Sequence, residues 1–401
     1  MPTIWKFWEC MRLIERSTAT SPKEPHLALG SGSSVLHWFT QTAVDLSDLR
    51  NKIDKVDEQI IRLLNDRADL VHEVGVIKKA AGQPIYVPER EEQVLRGLAT
   101  KAVEMKSRLP EKSIRAIYRE IMSAALALEK DITIAYFGPH ATNTHQAARS
   151  RFGASVNYIP EVAIAEVFDA VARGNADYGV VPIENSTEGP VNPTLDVFMG
   201  SDLRICAQIM MKIENHLVAK CDRAGIHKLY SHPQVFGQCR TWLKQHFPNA
   251  DLIEVASTPR AAEQALQQPN SGALVGRMAA EEFGLPFLDE NIQDNPNNVT
   301  RFLVIGKNMA QPTGADRTSL MFCIRDEPGA LFKAIEPFNR MKISMSKIES
   351  RPSKRKAWEY FFFVDADGHA DEQPLKDAIN ELEKHCSFLK ILGSYPAPCV
   401  P

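Results

Sequence analysis

The stretch DYGVVPIENSTEG (177–189) decides how the middle of this chain folds. Its apolar run, 180–183, predicts a buried β-strand, and the polar residues after it predict a loop at the end of that strand. The same arrangement of an apolar strand beside a polar loop occurs in ITIAYFGPHATNT (132–144), YSHPQVFGQCR (230–240) and NNVTRFLVIG (297–306). Helical patterns lie between these strands, so residues 131–307 are expected to form an α/β domain.

The segments on either side of this domain have other periodicities. Residues 45–130 follow a helical pattern throughout, and residues 308–317 (NMAQPTGADR) are typical of a linker. From 318 to 401 the predicted order is strand, helix, strand, strand, helix, strand, which is the ferredoxin-like order of a small regulatory module. The predicted fold class is therefore multidomain, with an all-α helical domain, an α/β domain and an α+β ferredoxin-like domain.

The first 44 residues differ from the rest of the chain. They begin MPTIWKFWEC, with an early acidic residue and no long apolar core, so they do not resemble a signal peptide. Residues 21–44 are rich in Ser, Gly, Pro and Thr. We expect residues 1–44 to be a poorly ordered extension.

The composition is that of a folded protein with about two to four domains. The 401 residues are 44% hydrophobic and 24% charged, with a formal net charge of −3, so neither nucleic acid nor an anionic membrane surface is expected as a partner. No apolar run approaches the ~18 residues of a membrane span. The seven cysteines are scattered, without a CxxC pair or a metal-ligand spacing to His, which favours reduced thiols, a cytoplasmic location and no metal.

A charged residue interrupts the apolar stripe of the first long helix. Arg67 lies between two runs of this stripe, which comprises Leu46, Leu49, Ile53, Val56, Ile60, Leu63, Leu70, Val74 and Ile77. Burying a guanidinium is costly unless it meets an anion. Lys78 follows Arg67 by 11 residues, about three helical turns, so the two share a face and can grip one small ligand. The alternative is that Arg67 reaches out to solvent and Lys78 is ordinary helix surface.

Further inward charges suggest a polar pocket in this segment. Glu129 continues the apolar stripe of the last helix, and Arg90 and Glu91 open the middle helix. The spacing of these charges, from about 49 to 129, resembles that of the all-helical chorismate mutases. The residues that match ligand-contacting positions of that family are Arg50, Arg67, Lys78, Arg90, Glu91 and Glu129.

This resemblance implies a role for each group. Arg50 and Arg67 would hold the two carboxylates of chorismate. Lys78 and Glu129 would approach its ether oxygen, and Glu91 would take its ring hydroxyl. A pericyclic rearrangement needs no nucleophile and no cofactor, only the reactive conformer and a charge near the breaking bond.

Spacing along the first helix predicts an oligomer. Arg50 precedes Arg67 by 17 residues, which is about 25 Å at ~1.5 Å per residue. The two cannot reach one ligand within that helix, so Arg50 should serve the pocket of a second subunit. We therefore expect a homodimer or a higher homo-oligomer.

Glu129 raises a question of charge, because an ionised carboxylate would repel an ether oxygen. We expect burial to keep Glu129 protonated, so that mutase activity falls as the pH rises. Val87 and Ala125 stand where an Asp and a Ser can occur in the family. These departures bear on affinity and not on the reaction.

The polar loops of the α/β domain carry the second set of motifs. Taken singly, such loops are most often turns and caps. Together VPIENSTEG, SHPQ with QCR, and TRF resemble the prephenate dehydratases, over about residues 132–306. The resemblance implies two α/β lobes with the substrate in the cleft, and an essential Thr300. The other implied substrate contacts are Asn185, Ser186, Thr187, Ser231, Gln238 and Arg301.

Thr300 would act on the departing hydroxyl of prephenate. A threonine hydroxyl is a weak acid, so it is expected to polarise the leaving group more than to transfer a full proton, and Glu184 is the alternative acid if burial raises its pKa. The first loop, GPHATNT (138–144), departs from the family pattern GPxGTFS. Ala141 replaces a glycine, Asn143 an aromatic residue and Thr144 a serine, which is either harmless or reshapes specificity.

The last segment contains PGALF (328–332), ESRPS (349–353) and LGSYP (392–396) and resembles the ACT modules that sense amino acids. The implied phenylalanine site comprises Gly329, Ala330, Leu331, Glu349, Ser350, Arg351 and Pro352. A glycine at a helix start lets a carboxylate approach backbone N–H groups, and Glu349 can pair with the amino group. The plainer interpretation is that GALF caps a helix and ESRP forms a turn.

The three resemblances together predict one bifunctional enzyme. It would convert chorismate to prephenate, and prephenate to phenylpyruvate with loss of water and carbon dioxide, under feedback inhibition by phenylalanine. The alternatives are a non-catalytic amino-acid sensor and a dehydratase that acts on arogenate. A sensor has no need of the mutase residues, and a fused mutase makes prephenate the favoured substrate.

Overall fold

The computed structural model describes residues 45–82, 86–325, 327–354 and 358–397. The described chain divides into two units, one that ends at Gln59 and one that begins at Ile60. The extension predicted for residues 1–44 lies outside the described residues. Within the described ranges, no helix combines the length and the apolar character needed to cross a membrane.

Helices and short strands alternate along most of the described chain. The α-helices are α1 (Leu46–Ala80), α2 (Pro88–Glu104), α3 (Glu111–Glu129), α4 (Asn143–Phe152), α5 (Ile164–Arg173), α6 (Asn192–Phe198), α7 (Pro233–Gln238), α8 (Arg240–His246), α9 (Thr258–Gln267), α10 (Arg277–Glu282), α11 (Ala330–Arg340) and α12 (Leu375–His385). The strands are β1 (Thr133–Phe137), β2 (Asn157–Glu161), β3 (Tyr178–Asn185), β4 (Gly189–Pro190), β5 (Arg204–Lys212), β6 (His216–Ala219), β7 (Lys228–Ser231), β8 (Asp251–Glu254), β9 (Ser271–Val275), β10 (Phe287–Asp289), β11 (Val299–Gly306), β12 (Asp316–Ile324), β13 (Met345–Pro352), β14 (Tyr360–Asp367) and β15 (Cys386–Pro396).

The ends of α1 follow from local sequence. Asp45 precedes the helix, and its carboxylate accepts the backbone N–H of Ser47 at 3.2 Å, as a helix N-cap does. Gly82 follows the last turn with φ of +63°, a conformation that glycine adopts without strain. The helical pattern predicted for residues 45–130 is realised as α1, α2 and α3.

The first lobe of the α/β domain is built on the sheet β2-β1-β3-β11-β5, with the short β4 paired to β3. The strands β2, β1 and β3 run parallel, and β11 is antiparallel to both of its neighbours. The apolar runs of β3 and β11 are buried, as their sequences predict. The last residues of β3 and the first residues of β11 therefore lie side by side.

The second lobe contains the sheet β10-β6-β9-β7-β8. Its central strand β9 is buried along its whole length. The chain enters this lobe after β5 and returns through β11, so the two lobes share two crossings. A two-lobed α/β domain was predicted, and the structure confirms it.

The C-terminal sheet has the order β13-β14-β12-β15 and is antiparallel throughout. Its elements follow the predicted sequence of strand, helix, strand, strand, helix, strand. Phe363, Leu392 and Tyr395 of this module share one hydrophobic core with Leu303 and Ile305 of the first lobe. The predicted fold class is confirmed, and the regulatory module is packed directly on the lobe that carries β11.

Candidate active sites

The clearest polar site lies where β3 ends beside β11. Asn185 is the register partner of Thr300. Both residues are buried, and the Asn185 side-chain amide donates hydrogen bonds to the Thr300 hydroxyl and to the side-chain oxygen of Asn298, each at 2.8 Å. Its own carbonyl oxygen accepts the backbone N–H groups of Thr187 at 2.9 Å and Glu188 at 3.0 Å. Both ends of the carboxamide are used, which fixes its orientation.

The rest of the ENST loop is tied to the segment before β11. The Ser186 hydroxyl accepts the N–H of Val299 at 3.0 Å and donates to the Asn297 carbonyl at 3.3 Å. The Thr187 hydroxyl accepts from the Asn295 side chain at 3.4 Å. Of the three predicted contacts at 185–187, Asn185 therefore bonds Thr300 directly, whereas Ser186 and Thr187 bond the segment that leads into Thr300.

Residues of the second lobe reach the same loop through Glu188. Gln238 donates to the Glu188 carboxylate at 2.7 Å, and Gln234 donates to its other oxygen. The Gln238 carbonyl oxygen accepts from the side chain of Asn215 at 3.1 Å. Ser231, in contrast, donates its buried hydroxyl to the Leu274 carbonyl at 2.6 Å, a bond inside the second lobe. Glu188 links the two lobes, and sequence reasoning did not single it out.

Arg301 and Glu184 lie on the opposite face of their strands. Neighbouring residues of a strand alternate between faces, so Arg301 points away from the face of Thr300. Its guanidinium contacts Asp365 at 2.5 Å and the Tyr395 hydroxyl at 2.8 Å. Glu184 pairs with Lys347 at 2.9 Å. This geometry supports neither a substrate-carboxylate contact by Arg301 nor an acid role for Glu184.

The unusual first loop is accommodated by its own side chains. Ala141, where the family pattern has glycine, adopts φ of +64°, and its N–H donates to Nδ1 of His145 at 3.1 Å. His140 pairs with Glu282 of the second lobe at 3.2 Å. Asn143 approaches Gly276 so closely that a Cβ there would lie 3.0 Å from the Asn143 side-chain oxygen. The loop therefore reaches across to the second lobe, while Thr144 is buried.

His145 was missed by sequence reasoning, although it lies four residues after Ala141. It is buried and stacks on Tyr136 with ring centroids 4.5 Å apart. Burial, with a contribution from His140, lowers the pKa of His145 to about 4. The ring is thus neutral at physiological pH, which matches its role as an acceptor for the Ala141 N–H.

In the helical segment, Lys78 and Glu129 are brought together. The Glu129 carboxyl packs on α1 at Gly75, where a Cβ would lie 2.9 Å from its Oε2 atom. That oxygen is buried and has no hydrogen-bond partner among the described residues. Burial raises the pKa of Glu129, and the charges of Lys78 and His72 oppose the shift. The carboxyl is therefore biased toward its protonated form.

The remaining predicted mutase residues are placed differently. Arg67 is half-buried, whereas Arg50 and Arg90 are exposed. Glu91 faces the α/β domain, where its carboxylate lies 3.2 Å from Arg151 of α4. Burial raises the pKa of Glu91, and Arg151 opposes the shift. Within residues 60–130, Lys78 thus acts on Glu129, whereas Glu91 is engaged in an ion pair with the α/β domain.

The two motifs of the regulatory module lie on different elements. Gly329, with φ of +77°, precedes α11 and lines a cavity of about 750 Å³ together with Ala330, Leu331 and Trp358. Residues 349–352 belong to the edge strand β13 and are not among the described residues that line this cavity. Arg351 instead pairs with Asp196 of the first lobe at 2.8 Å.

Comparison with known proteins identifies the family of each part of the chain. Three family models match consecutive parts of the chain, the type II chorismate mutases at residues 49–130, the prephenate dehydratases at 134–310 and the ACT domain at 318–384. The fold and sites thus define a dehydratase-type α/β domain placed between a mutase-type helical segment and an ACT module.

The individual relatives are of the same composite type. A bifunctional chorismate mutase/prephenate dehydratase of Aquifex aeolicus is 48% identical over 354 residues, which cover 88% of this chain and 98% of the relative. One of Pseudomonas aeruginosa is 41% identical and covers 88% and 97%. The solved structure of an Arthrobacter aurescens prephenate dehydratase in complex with L-Phe is 35% identical with a TM-score of 0.62, covering 67% of this chain and 94% of that one. The chain belongs to the family of bifunctional chorismate mutase/prephenate dehydratases, and the resemblance predicted from the sequence is confirmed.

Proposed function

We propose that this protein rearranges chorismate to prephenate and then converts prephenate to phenylpyruvate, with loss of water and carbon dioxide. The observation that carries the dehydratase part of this proposal is the hydrogen bond from Asn185 to Thr300, where β3 ends beside β11. We assign the mutase to residues 45–130, the dehydratase to 131–307 and the regulatory module to 318–401, with 308–317 as the predicted linker. The last two residues of that linker already belong to β12. The dispersed cysteines, of which the described ones are free, fit a cytoplasmic location.

The hydrogen-bond direction at Thr300 suits the dehydration. The Thr300 oxygen accepts from Asn185, so its own proton is available to a ligand. A hydroxyl aimed at the departing hydroxide of prephenate stabilises the charge that develops as the C–O bond breaks. The electron pair released with carbon dioxide enters the ring, which becomes aromatic. Ser186, Thr187 and Gln238 are the proposed substrate contacts around this position. Ser231 and Arg301 are proposed to support the site by bonding other protein groups and not by touching the substrate.

The mutase assignment rests on Lys78, Glu129 and Arg67. Lys78 and a protonated Glu129 can both donate to the ether oxygen of chorismate, and Arg67 can hold a carboxylate. The raised pKa of Glu129 supports the protonated form. Arg90 and Glu91 were also predicted for this set, but Glu91 is engaged by Arg151 of the α/β domain in the single chain, so its contact with the ring hydroxyl stays a prediction.

We further propose that the protein is a homodimer. The predicted core stripe of α1 is exposed in the single chain, where Leu63 and Ile77 each keep 67% of their surface accessible and Leu70 keeps 63%. Large contiguous apolar patches are uncommon on monomers. The same helix of a second copy would cover the stripe and bring Arg50 to the partner's pocket.

Phenylalanine is the proposed effector of the regulatory module. Ala330 and Leu331 begin α11 directly after Gly329, and backbone N–H groups at this helix start can receive a carboxylate. Phe332 and Trp358 are exposed beside them and offer an apolar surface for an aromatic side chain. Glu349 is proposed to take the amino group, with Ser350, Arg351 and Pro352 beside it on the edge strand β13. Because these residues are not among the described ones that line the cavity at Gly329 of the same chain, phenylalanine is proposed to bind between the modules of paired subunits. The L-Phe complex of the Arthrobacter relative supports this choice of ligand.

The experiment is to give the purified protein chorismate and prephenate separately, with and without phenylalanine, and to follow both products. We expect prephenate from chorismate, and phenylpyruvate from prephenate that phenylalanine suppresses. Failure to consume prephenate, with chorismate still rearranged, would contradict the dehydratase assignment. Arogenate would then be supplied to test whether the GPHATNT loop has redirected specificity.

A further inference from the structure

Four charged side chains form a row behind the Asn185–Thr300 pair. Glu184 is the register partner of Arg301 in the first lobe, one residue away from Asn185 and Thr300 respectively. Lys347 is the register partner of Asp365 in the regulatory module. We call Glu184, Arg301, Lys347 and Asp365 the charge quartet. Its two members in the first lobe lie directly next in sequence to the two residues of the proposed dehydratase site.

The quartet joins the two modules by alternating charges. Lys347 contacts Glu184 at 2.9 Å, Glu184 lies 3.7 Å from Arg301, and Arg301 contacts Asp365 at 2.5 Å. Ser319 donates to Asp365 at 2.5 Å, and Tyr395 accepts from Arg301 at 2.8 Å. Only 7% of the Arg301 side chain and 6% of the Asp365 side chain are accessible. The pair is too well covered and too fully engaged to receive a substrate carboxylate.

The space around the quartet confirms that it is a packed junction. The adjoining cavity, bordered by Arg301, Ser319, Lys347 and Asp365, has a volume of about 20 Å³. That is room for one water molecule and not for a substrate. A shift of the regulatory sheet must therefore move the strands of the first lobe, because a packed interior transmits displacement.

The backbone of β3 is irregular at this point. The register of β3 with β11 shifts between Arg301 and Phe302, which leaves Ile183 as the extra residue of a bulge. Bulges beside functional sites set the direction of neighbouring side chains. Glu184 follows the bulge and Asn185 follows Glu184. The ion pairs of Glu184 therefore fix the bulged end of β3, which orients the Asn185 side chain toward Thr300.

One member of the quartet, Lys347, lies on β13, the strand that carries the proposed phenylalanine contacts. Lys347, Glu349 and Arg351 alternate with exposed residues along β13 and so share the face that meets the first lobe. Lys347 pairs with Glu184 and Arg351 pairs with Asp196. A movement of β13 therefore acts on Glu184 by direct contact.

We propose that Arg301 and Glu184 are positioning residues, held by Asp365 and Lys347 of the regulatory module. Arg301 and Glu184 orient the side chains of Thr300 and Asn185, and they transmit movements of β13 to those two residues. This inference rests on the proposed dehydratase function. Removing one partner leaves an uncompensated buried charge, which its strand must move to relieve. A misplacement of about 1 Å at a reacting group can lower a rate by roughly 10².

The test uses the full chain with Asp365→Asn, and Asp367→Asn as the matched control. Asp367 lies two residues further along β14, is half-exposed, and approaches Arg317 only at 4.0 Å. We expect Asp365→Asn to lower the kcat for prephenate by about 10-fold to 100-fold with KM within about twofold, because positioning and not binding is lost. Mutase activity of the same preparation reports the folded state and should not change.

A second variant and a second readout keep the outcomes separate. Lys347→Gln should give a smaller loss of kcat and should weaken inhibition by phenylalanine. Hydrogen exchange at residues 182–187 and 299–303 should be faster in Asp365→Asn than in Asp367→Asn, and this comparison holds even if the wild type converts no prephenate. Equal kcat and equal exchange in the two Asp variants would overturn the proposal, as would a rise in KM at unchanged kcat, which would make Arg301 a substrate ligand.

Discussion

The side-chain nitrogen of Asn185 lies 2.8 Å from the hydroxyl oxygen of Thr300, and the register of β3 and β11 places the two residues opposite one another. Because Asn185 donates, Thr300 is left with a proton to offer. Because the Asn185 oxygen is occupied by the N–H groups of Thr187 and Glu188, the carboxamide cannot rotate to reverse this direction. In the proposed dehydratase site, one amide thus fixes the orientation of the Thr300 hydroxyl.

Asn185→Asp should remove the hydrogen bond that residue 185 donates to Thr300, with little change in side-chain size. A carboxylate accepts and does not donate, so the Thr300 proton would turn toward residue 185 and away from the ligand. We expect kcat for phenylpyruvate formation to fall by roughly 10²-fold, the usual worth of a positioned proton donor. Asn249→Asp adds the same charge at an exposed position and should match the wild type. An active Asn185→Asp variant would refute this role.

The resemblance to known families predicted more of the fold than of the contacts. The three segments, the buried strands β3 and β11 and the strand order of the last module all follow from periodicity and motif order. Thr300 and Asn185 were also predicted to belong to one site, and the structure places them in contact. Because side chains alternate along β11, Thr300 and Arg301 cannot both face the cleft, and the motif TRF by itself does not show this.

Other contacts depend on how separate parts of the chain pack together, which no local sequence pattern predicts. Glu91 meets Arg151, which lies 60 residues further along the chain and in another domain. Ala141 keeps a left-handed backbone because His145 accepts its N–H, although the family pattern has glycine at that position. Such pairs become visible only once the modules are packed together.

The pH dependence of the mutase tests the ionisation of Glu129. Burial raises the pKa of Glu129, so its protonated form persists to higher pH than in a free glutamate and is lost as the pH rises through that raised value. Wild-type mutase activity should fall over the same range. Glu129→Gln carries a permanent N–H donor and should remove the fall. Glu111→Gln, at an exposed position, should keep it. Identical profiles for wild type and Glu129→Gln would show that another group titrates.

Two substitutions that each add one carboxylate to α1 test whether two copies of the protein associate through this helix. Leu63→Asp places a carboxylate on the exposed apolar stripe, whereas Asn65→Asp places one about 160° around the helix, on a polar face. We expect sedimentation equilibrium to show a dimer for the wild type and for Asn65→Asp. Leu63→Asp should shift toward monomer and lose mutase activity together with the dimer. A monomeric wild type that rearranges chorismate would contradict the shared pocket.

Gly393 tests how tightly the regulatory module is docked. A Cβ at Gly393 of β15 would collide with the backbone carbonyl of Ile205 in β5, so these strands approach as closely as glycine allows. We expect Gly393→Ala to lower the free energy of unfolding by about 3 kcal/mol, the upper end of overpacking costs. Gly200→Ala, which has open space around it, should change stability little. Equal melting temperatures would mean that the junction is loose.

The central claim is that the Thr300 hydroxyl, oriented by Asn185, carries out the dehydration in a chain that also holds a mutase. The most direct measurement compares wild type, Thr300→Ser and Thr300→Val for both reactions in the same preparations. We predict that Thr300→Val loses roughly 10²-fold or more in kcat for prephenate, that Thr300→Ser keeps most of it, and that chorismate is rearranged equally by all three. Phenylpyruvate formation by Thr300→Val at the wild-type rate would contradict the account.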